Sequence, residues 1–442
     1  MTASIEQLYN IYLSHPLVST DTRNIAPGCI FFALKGEKFD ANTFAAQAVE
    51  TGAAYAIIDN PRYETDERFI LVADVLTTLQ DLARHHRQQL SIPVVGLTGT
   101  NGKTTTKELI SAVLAQRFNV QYTRGNLNNH IGVPLTVLTI GPEHEIAVIE
   151  MGANHQKEIG FLCTISQPAC GLITNVGKAH LEGFGGVEGV KKGKGELYDY
   201  LKNSDNGIAF INYDNPILME MQQARVLERV IYYAASGAGD STVSGSIIEN
   251  SPYLALRWKN HQNNLEHIVK TQLTGAYNLD NILAAACIGV YFGLTDDEVS
   301  AGIEKYQPKN NRSQIANTAT NTLICDYYNA NPSSMMVAIE NMNSLQANRK
   351  VLILGDMFEL GEEAAVEHEA VIRKALDAGV DERIFIGKEF ARAGEKIHGK
   401  QAVFYETAEN ATEALRSNPV KNSTVLIKGS RGMALERLVA LL

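Results

Sequence analysis

The chain has 442 residues, 45% of them hydrophobic and 20% charged, with a formal net charge of −10. That length accommodates about two to four domains, the acidic balance argues against non-specific nucleic-acid binding, and no apolar run reaches the roughly eighteen residues a membrane helix needs. The N-terminal MTASIEQLYN lacks the basic and apolar regions of a signal peptide. Cys29, Cys163, Cys170, Cys287 and Cys325 are scattered and odd in number, which predicts reduced core residues of a cytoplasmic protein.

In chain order, the first 91 residues read as a small α/β unit. Strands are predicted at Cys29–Leu34 and Ala54–Ile58, and helices at Thr43–Glu50 and Val75–Gln89. Ile92-Pro93 opens a second unit, 92–310. There the apolar run of Val94, Val95 and Leu97 leads into Thr98-Gly99-Thr100-Asn101-Gly102-Lys103-Thr104-Thr105. Leu109, Ile110, Val113 and Leu114 follow at helical spacing. Further on come a buried strand, Ile146–Ile149, ending in Glu150, a strand at Gly171–Thr174, and an apolar helix at Asn281–Val290. Tyr306–Asn311, with Pro308 and two asparagines, reads as a linker. From 311 to 442 strands at Thr322–Cys325, Val351–Leu354, Arg383–Ile386 and Thr424–Ile427 alternate with helical segments, the pattern of a doubly wound, Rossmann-like sheet. The fold class is therefore α/β in three units, with a cleft between the second and third where closure could assemble a site.

A strand, a glycine loop and a helix make an anion site. Loop N–H groups and the helix N-terminus face the ligand, Lys103 adds a point charge for terminal phosphates, and the Thr104 hydroxyl suits Mg²⁺. The strict phosphate-loop pattern has glycine where this chain has Leu97, so the loop is a variant. Glu150 ends a strand at the edge where α/β sheets gather ligands, next to that loop, and reads as a Mg²⁺ partner. Other positions stay open on their residues alone. His180 is a ligand or a satisfied structural histidine, and Lys191, Lys192 and Lys194 are a site or a solvated basic face. Asn128 and Asn129, in GNLNNH, suit a turn or a polar ligand. Asn278 and Asn281 suit an adenine edge or a helix N-cap. Arg312 sits at the unit junction. Asp326, Asn329 and Asn331 follow one C-terminal strand and Lys428 and Arg431 end another, both at the ligand edge of that sheet.

Taken together, TGTNGKTTTKE, EMGA, AHLEGFG with Lys194 fourteen residues after His180, TGAYN-x-x-N and the junction arginine resemble the Mur ligases of peptidoglycan synthesis. GNLNNHIGVPL, DYYNANPSSM, LGDMFELG and KGSRGM resemble, within that family, the members that join D-alanyl-D-alanine to UDP-N-acetylmuramoyl-tripeptide. The stretch TDTRNIAPGCIFFALKGEKFDANTFAAQAVETGA is similar to their uridine-nucleotide domain. The resemblance covers nearly the whole chain.

It implies an ATP-dependent, ADP-forming ligase that activates a carboxylate as an acyl phosphate for attack by an amine. It serves cytoplasmic cell-wall precursor synthesis, and with it cell shape and division. By the same resemblance Gly99 to Thr105, Asn278, Asn281, Arg312 and Asp326 hold ATP. Thr104 and Glu150 bind one Mg²⁺ and His180 a second. Lys103, His180 and Lys194 are catalytic, Lys194 as a carbamylated lysine. Thr22, Arg23, Asn128, Asn129, Asn329, Asn331, Lys428 and Arg431 meet the two substrates. A monomer without nucleic-acid or membrane partners is expected. Two departures stand out: Cys325 where the family often has a first acidic residue before Asp326, and Asn311 where it has glycine before Arg312. The other readings are a folylpolyglutamate synthase, whose loop tends to have Gly-Ser after the lysine, and a nucleotide-gated binding protein without ligation.

Overall fold

Val94–Thr98, buried at all five positions, is an inner strand of a nine-stranded sheet. Both faces of such a strand are covered, so its sequence is a continuous apolar run rather than an alternating one. The computed structural model describes residues 3–395 and 402–442. From one edge, seven parallel strands run Val120–Tyr122, Ile146–Glu150, Val94–Thr98, Cys170–Ile173, Ile208–Asn212, Val230–Ala234 and Val243–Asn250. Leu254–Asn260 and Leu265–Lys270 extend the sheet antiparallel. Helix Asn278–Tyr291 is apolar nearly all round because it lies buried against helix Lys103–Leu114 and this sheet.

The N-terminal residues build a separate four-stranded parallel sheet in the order Val18–Ser19, Ile30–Phe32, Tyr55–Ile58, Phe69–Leu71. The expected helix at Thr43–Glu50 is a 3-10 turn, Ala41–Phe44, running into an α-helix, Ala45–Thr51. Helix Val75–Gln88 is N-capped by Asp74, which accepts from the Thr77 N–H. Its face of Val75, Leu79, Leu82 and Ala83 belongs to one core with Val133, Ile159 and Leu162 of the nine-stranded unit. Arg87 ties the same seam, donating to the Ser166 carbonyl at 2.9 Å. The first two units are therefore welded by a shared core.

The third sheet has six strands, with Gln314–Asn317 antiparallel to Thr322–Asp326. Thr424–Lys428, Lys350–Gly355, Glu382–Ile386 and Val403–Tyr405 follow in parallel order. Separate apolar clusters cover its two faces. All five cysteines are free and buried, as their scatter predicts. Among the described residues no helix is long and apolar enough to cross a membrane.

Candidate active site

The glycine loop after Val94–Thr98 is held tight against its neighbours. Gly99 has φ +147°, and a Cβ there would fall 2.0 Å from Thr174 Oγ1. Gly102, at φ +77°, would clash at 2.8 Å with Asn281 Oδ1, so both glycines answer to close approach as well as to backbone conformation. Asn175 braces the loop, its Oδ1 accepting from Asn101 N–H at 3.0 Å while Thr174 Oγ1 donates to the Asn101 carbonyl at 2.7 Å. Helix Lys103–Leu114 begins with no side-chain cap, leaving its first N–H groups for an anion. Lys103 Nζ lies over the loop, donating to the Gly99 and Thr100 carbonyls at 2.8 and 3.0 Å. Burial, with Arg312 nearby, pulls its pKa below the ordinary lysine value. A phosphate arriving there would restore the ammonium's charge balance.

On one side of the loop Thr104 Oγ1 donates to Glu150 Oε2 at 2.9 Å, and Asn128 Nδ2 donates to the other carboxylate oxygen at 2.7 Å. Glu150 is 1% exposed. A hydroxyl and a carboxylate side by side fit Mg²⁺, which prefers oxygen ligands and keeps water or phosphate in its remaining positions. His180, at φ +51°, faces the Glu359 carboxylate through Nδ1, and burial lowers its pKa.

Lys194 is 2% exposed, donates to the Ala153 carbonyl at 3.3 Å and sits 5.1 Å from the Phe184 ring centre. Burial first and Lys103 second bring its pKa down to about 7. The solvated-face reading of the three lysines therefore holds for Lys192, which is exposed, and for Lys191, which pairs with Glu220 at 2.5 Å; it fails for Lys194.

The C-terminal unit closes the far side. Asn331 caps helix Pro332–Ser344 and donates from Nδ2 to Asn101 Oδ1 at 2.8 Å, while Asn101 Nδ2 donates to Ser333 Oγ at 3.0 Å. Arg312 stacks on Tyr328 with its guanidinium carbon 3.9 Å from the ring centre. Asp326 and Lys428 are cross-strand partners whose side chains pair at 2.7 Å.

These residues surround a cavity of about 900 Å³. It is lined by Thr100, Asn101, Gly102, Lys103, Thr104 and Thr105 of the loop, and by Glu150, His180, Asn128 and Asn129. Asn278, Asn281, Arg312, Asp326, Asn329, Asn331 and Lys428 are the other sequence-derived residues in its lining. Gly99, Lys194 and Arg431 stand outside its lining. Gly99 supports the loop from beneath, and Arg431 reaches the Tyr328 hydroxyl at 3.1 Å on the exposed side. Thr22 and Arg23 do not join this cavity either: Arg23 is exposed on the N-terminal unit and pairs with Asp21 at 2.7 Å.

Several expectations change. The N-cap reading of Asn278 fails, because the helix is uncapped by a side chain and Asn278 Nδ2 donates back to the Thr274 carbonyl. Asn281 accepts from Thr106 Oγ1 and donates to Asn278, so half of its hydrogen-bonding capacity goes to supporting the glycine loop at Gly102 while its side chain still lines the cavity. Asn129 takes the turn role, accepting from the N–H groups of Ile131 and Gly132, whereas Asn128 serves Glu150. Lys428 is 3% exposed and neutralises Asp326, which leaves it poorly placed to take a substrate carboxylate. Sequence reasoning missed Asn175, Tyr328 and Ser333. Asn175, just past the strand Cys170–Ile173, could have been found by the same strand-end rule that picked Glu150; for Tyr328 and Ser333 only position beside Asp326 and Asn331 points to them.

Residues 97–289 match the Mur ligase middle domain, and residues 311–431 match the domain described as Mur ligase, glutamate ligase domain. The UDP-N-acetylmuramoyl-tripeptide--D-alanyl-D-alanine ligase of Escherichia coli K12 is 37% identical over 96% of this chain and 92% of its own length. The crystal structure of MurF from Acinetobacter baumannii superposes with a TM-score of 0.86 at 31% identity, over 96% of this chain and 92% of that one. MurF ligase from Thermotoga maritima, solved in complex with ADP, gives 0.82 at 27% identity over 96% of each chain. Similarity along nearly the whole length, through all three units and the loop that frames the cavity, means that the chain belongs to the Mur ligase family.

Proposed function

We propose that the chain joins D-alanyl-D-alanine to UDP-N-acetylmuramoyl-tripeptide with ATP, releasing ADP and phosphate, in cytoplasmic peptidoglycan precursor synthesis. The relatives that match over nearly the full length carry that activity in their names. The observation that carries the reading is the shared cavity, where loop and carboxylate residues of the second unit face Arg312, Asp326 and Asn331 of the third. In this division residues 1–91 serve the uridine end of the substrate, 92–310 the ATP and 311–442 the amine.

A carboxylate oxygen of the tripeptide attacks the γ-phosphorus and ADP departs. The dipeptide amine then attacks the acyl carbon, and the tetrahedral adduct expels phosphate as the amine loses its proton. The first step brings anion against anion, so fixed cations must offset both. Lys103 is placed for the terminal phosphates, with Arg312 entering from the opposite wall. Thr104 and Glu150 would hold one Mg²⁺ and His180 a second, and a bound Mg²⁺ supplies charge neutralisation and orientation at the phosphates. Asp326 holds Lys428 at the same wall. Lys194, with its pKa near neutrality, has the free amine that attacks CO₂: a C–N bond forms, a proton leaves, and the resulting carbamate gives the buried site a carboxylate. The readout for that modification is ¹³C NMR of protein equilibrated with ¹³C-bicarbonate.

The decisive experiment is phosphate release with UDP-N-acetylmuramoyl-tripeptide, ATP and D-alanyl-D-alanine. Release that requires all three supports the reading. ATP binding without release across amine acceptors would make the chain a nucleotide-gated binder. Release driven best by a single free amino acid would leave a ligase of another specificity.

A further inference from the structure

We propose that Glu108 is a positioning residue that sets Arg312 in the cavity by fixing the linker that carries it. The inference rests on the reading above, in which Arg312 meets the nucleotide.

Glu108 lies on the second turn of helix Lys103–Leu114, the helix whose first residues are Lys103 and Thr104. Its side chain reaches the linker between the second and third units. Tyr306 OH donates to Glu108 Oε2 at 2.7 Å, and Asn310 Nδ2 donates to both carboxylate oxygens at 3.1 Å. Helix Asp296–Lys305 has ended just before, and strand Gln314–Asn317 starts just after. One carboxylate thus grips both ends of the segment leaving the second unit. Lys107, fully buried, stands 3.8 Å from the same carboxylate, with its Nζ 5.6 Å from the Tyr122 ring centre and the Glu150 carboxylate also acting on its charge.

The two residues that flank Arg312 are both left-handed, Asn311 at φ +57° and Ser313 at φ +51°. Two such conformations around one residue make a sharp local reversal that aims the guanidinium sideways, onto Tyr328 and into the cavity. Downstream, Ser313 is fixed by its N–H to Asp326 Oδ1 at 3.2 Å and by Tyr277 OH at 2.5 Å. Upstream, the last fixed point before the reversal is Asn310, and it is held by Glu108. The direction of Arg312 is therefore referenced to the helix that carries Lys103. A loosened linker would leave the C-terminal unit folded but let the two cations around the phosphates lose their registration.

The test uses the full-length protein, with AMP-PNP and Mg²⁺ as probe and calorimetry as readout, on Glu108→Ala, Glu108→Gln, Arg312→Ala and the double variant Glu108→Ala/Arg312→Ala. Glu108→Ala should weaken AMP-PNP binding about tenfold, with a matching rise in KM for ATP and little change in KM for the uridine substrate. Glu108→Gln keeps an oxygen for Tyr306 and should recover most of the affinity. In the Arg312→Ala background Glu108→Ala should have almost no further effect, because its target is gone. A full additional loss in the double variant would overturn the inference, as would wild-type affinity in Glu108→Ala. Unchanged affinity in Arg312→Ala would overturn the nucleotide role of Arg312 and this inference with it. Failure of the ligase reading shows separately, as wild-type protein that releases no phosphate with its three substrates.

Discussion

Replacing Lys194 by methionine should stabilise the protein at low pH while abolishing activity. Lys194 is 2% exposed and its pKa falls from 10.5 to about 7, burial being the largest cause. That displacement corresponds to on the order of 5 kcal/mol of preference for the neutral form. The sign follows from linkage: between pH 7 and 10.5 the unfolded chain binds the proton and the folded one does not, so stability rises with pH across that window. Below pH 7 the folded state carries the whole penalty of a buried ammonium. Methionine fills similar space without the charge and gives up one hydrogen bond, to the Ala153 carbonyl, worth about 1 kcal/mol. Local relaxation around the ammonium reduces the gain, so Lys194→Met should exceed wild type by roughly 2–4 kcal/mol at pH 6, with the difference vanishing toward pH 10. Urea midpoints across pH in CO₂-depleted buffer measure it, read as midpoints because a three-unit chain need not unfold in one step. A difference independent of pH would refute the buried-ammonium argument. The same variant should be nearly inactive in phosphate release, and Lys194→Ala should be partly rescued by formate or acetate if a carboxylate is what the site lacks.

Lys103→Ala should lower kcat at least about a hundredfold, the cost of one charge-assisted contact in the transition state, with the far-UV spectrum unchanged. Asn331→Ala removes both the N-cap of helix Pro332–Ser344 and the bond to Asn101. It should cost about 1 kcal/mol in thermal unfolding and raise KM for ATP, and an effect on stability alone would separate the cap from the site. Arg431→Ala should raise KM for D-alanyl-D-alanine more than KM for ATP, since Arg431 is exposed beside Tyr328 whereas Lys428 is already paired; equal changes in both would remove it from acceptor binding.

What could be read from the sequence was whatever depends on neighbours in the chain. The glycine loop, Glu150 at its strand end and the alternation of strands with helices are local patterns, and the structure places them where those patterns imply. The three strands between Val243 and Lys270 were not foreseen, although Leu254, Leu256 and Trp258 alternate with Ala255, Arg257 and Lys259 as a half-buried strand does; the flanking strands Val243–Asn250 and Leu265–Lys270 lack so regular a pattern. Roles that depend on partners far along the chain were equally hidden. Asn281 beneath Gly102, Lys428 against Asp326 and Asn331 against Asn101 each require two distant elements to be placed first. Lys194 is the instructive case. Val190, Leu197, Tyr198 and Leu201 form the buried face of helix Val187–Asn203, and Lys194 falls in that face at positions i+4 and i−3. A lysine inside an apolar stripe is a signal visible in the sequence, masked here by the two lysines and glycines around it.

The two departures from the family pattern have separate physical accounts. Cys325 is 3% exposed and packs with Leu323, Val351 and Ile353 on one face of the C-terminal sheet, whereas Asp326, the next residue, faces the cavity. Successive strand residues point to opposite faces, so a thiol at 325 alters the core side and leaves the carboxylate at the ligand edge in place. Asn311 adopts φ +57°, the left-handed region that glycine enters freely and asparagine tolerates better than other side chains. Asparagine therefore preserves the reversal that presents Arg312, at the expense of some backbone freedom in the linker. That loss of freedom acts in the same direction as the grip of Glu108 on Tyr306 and Asn310: both narrow the range of directions from which Arg312 can enter the site.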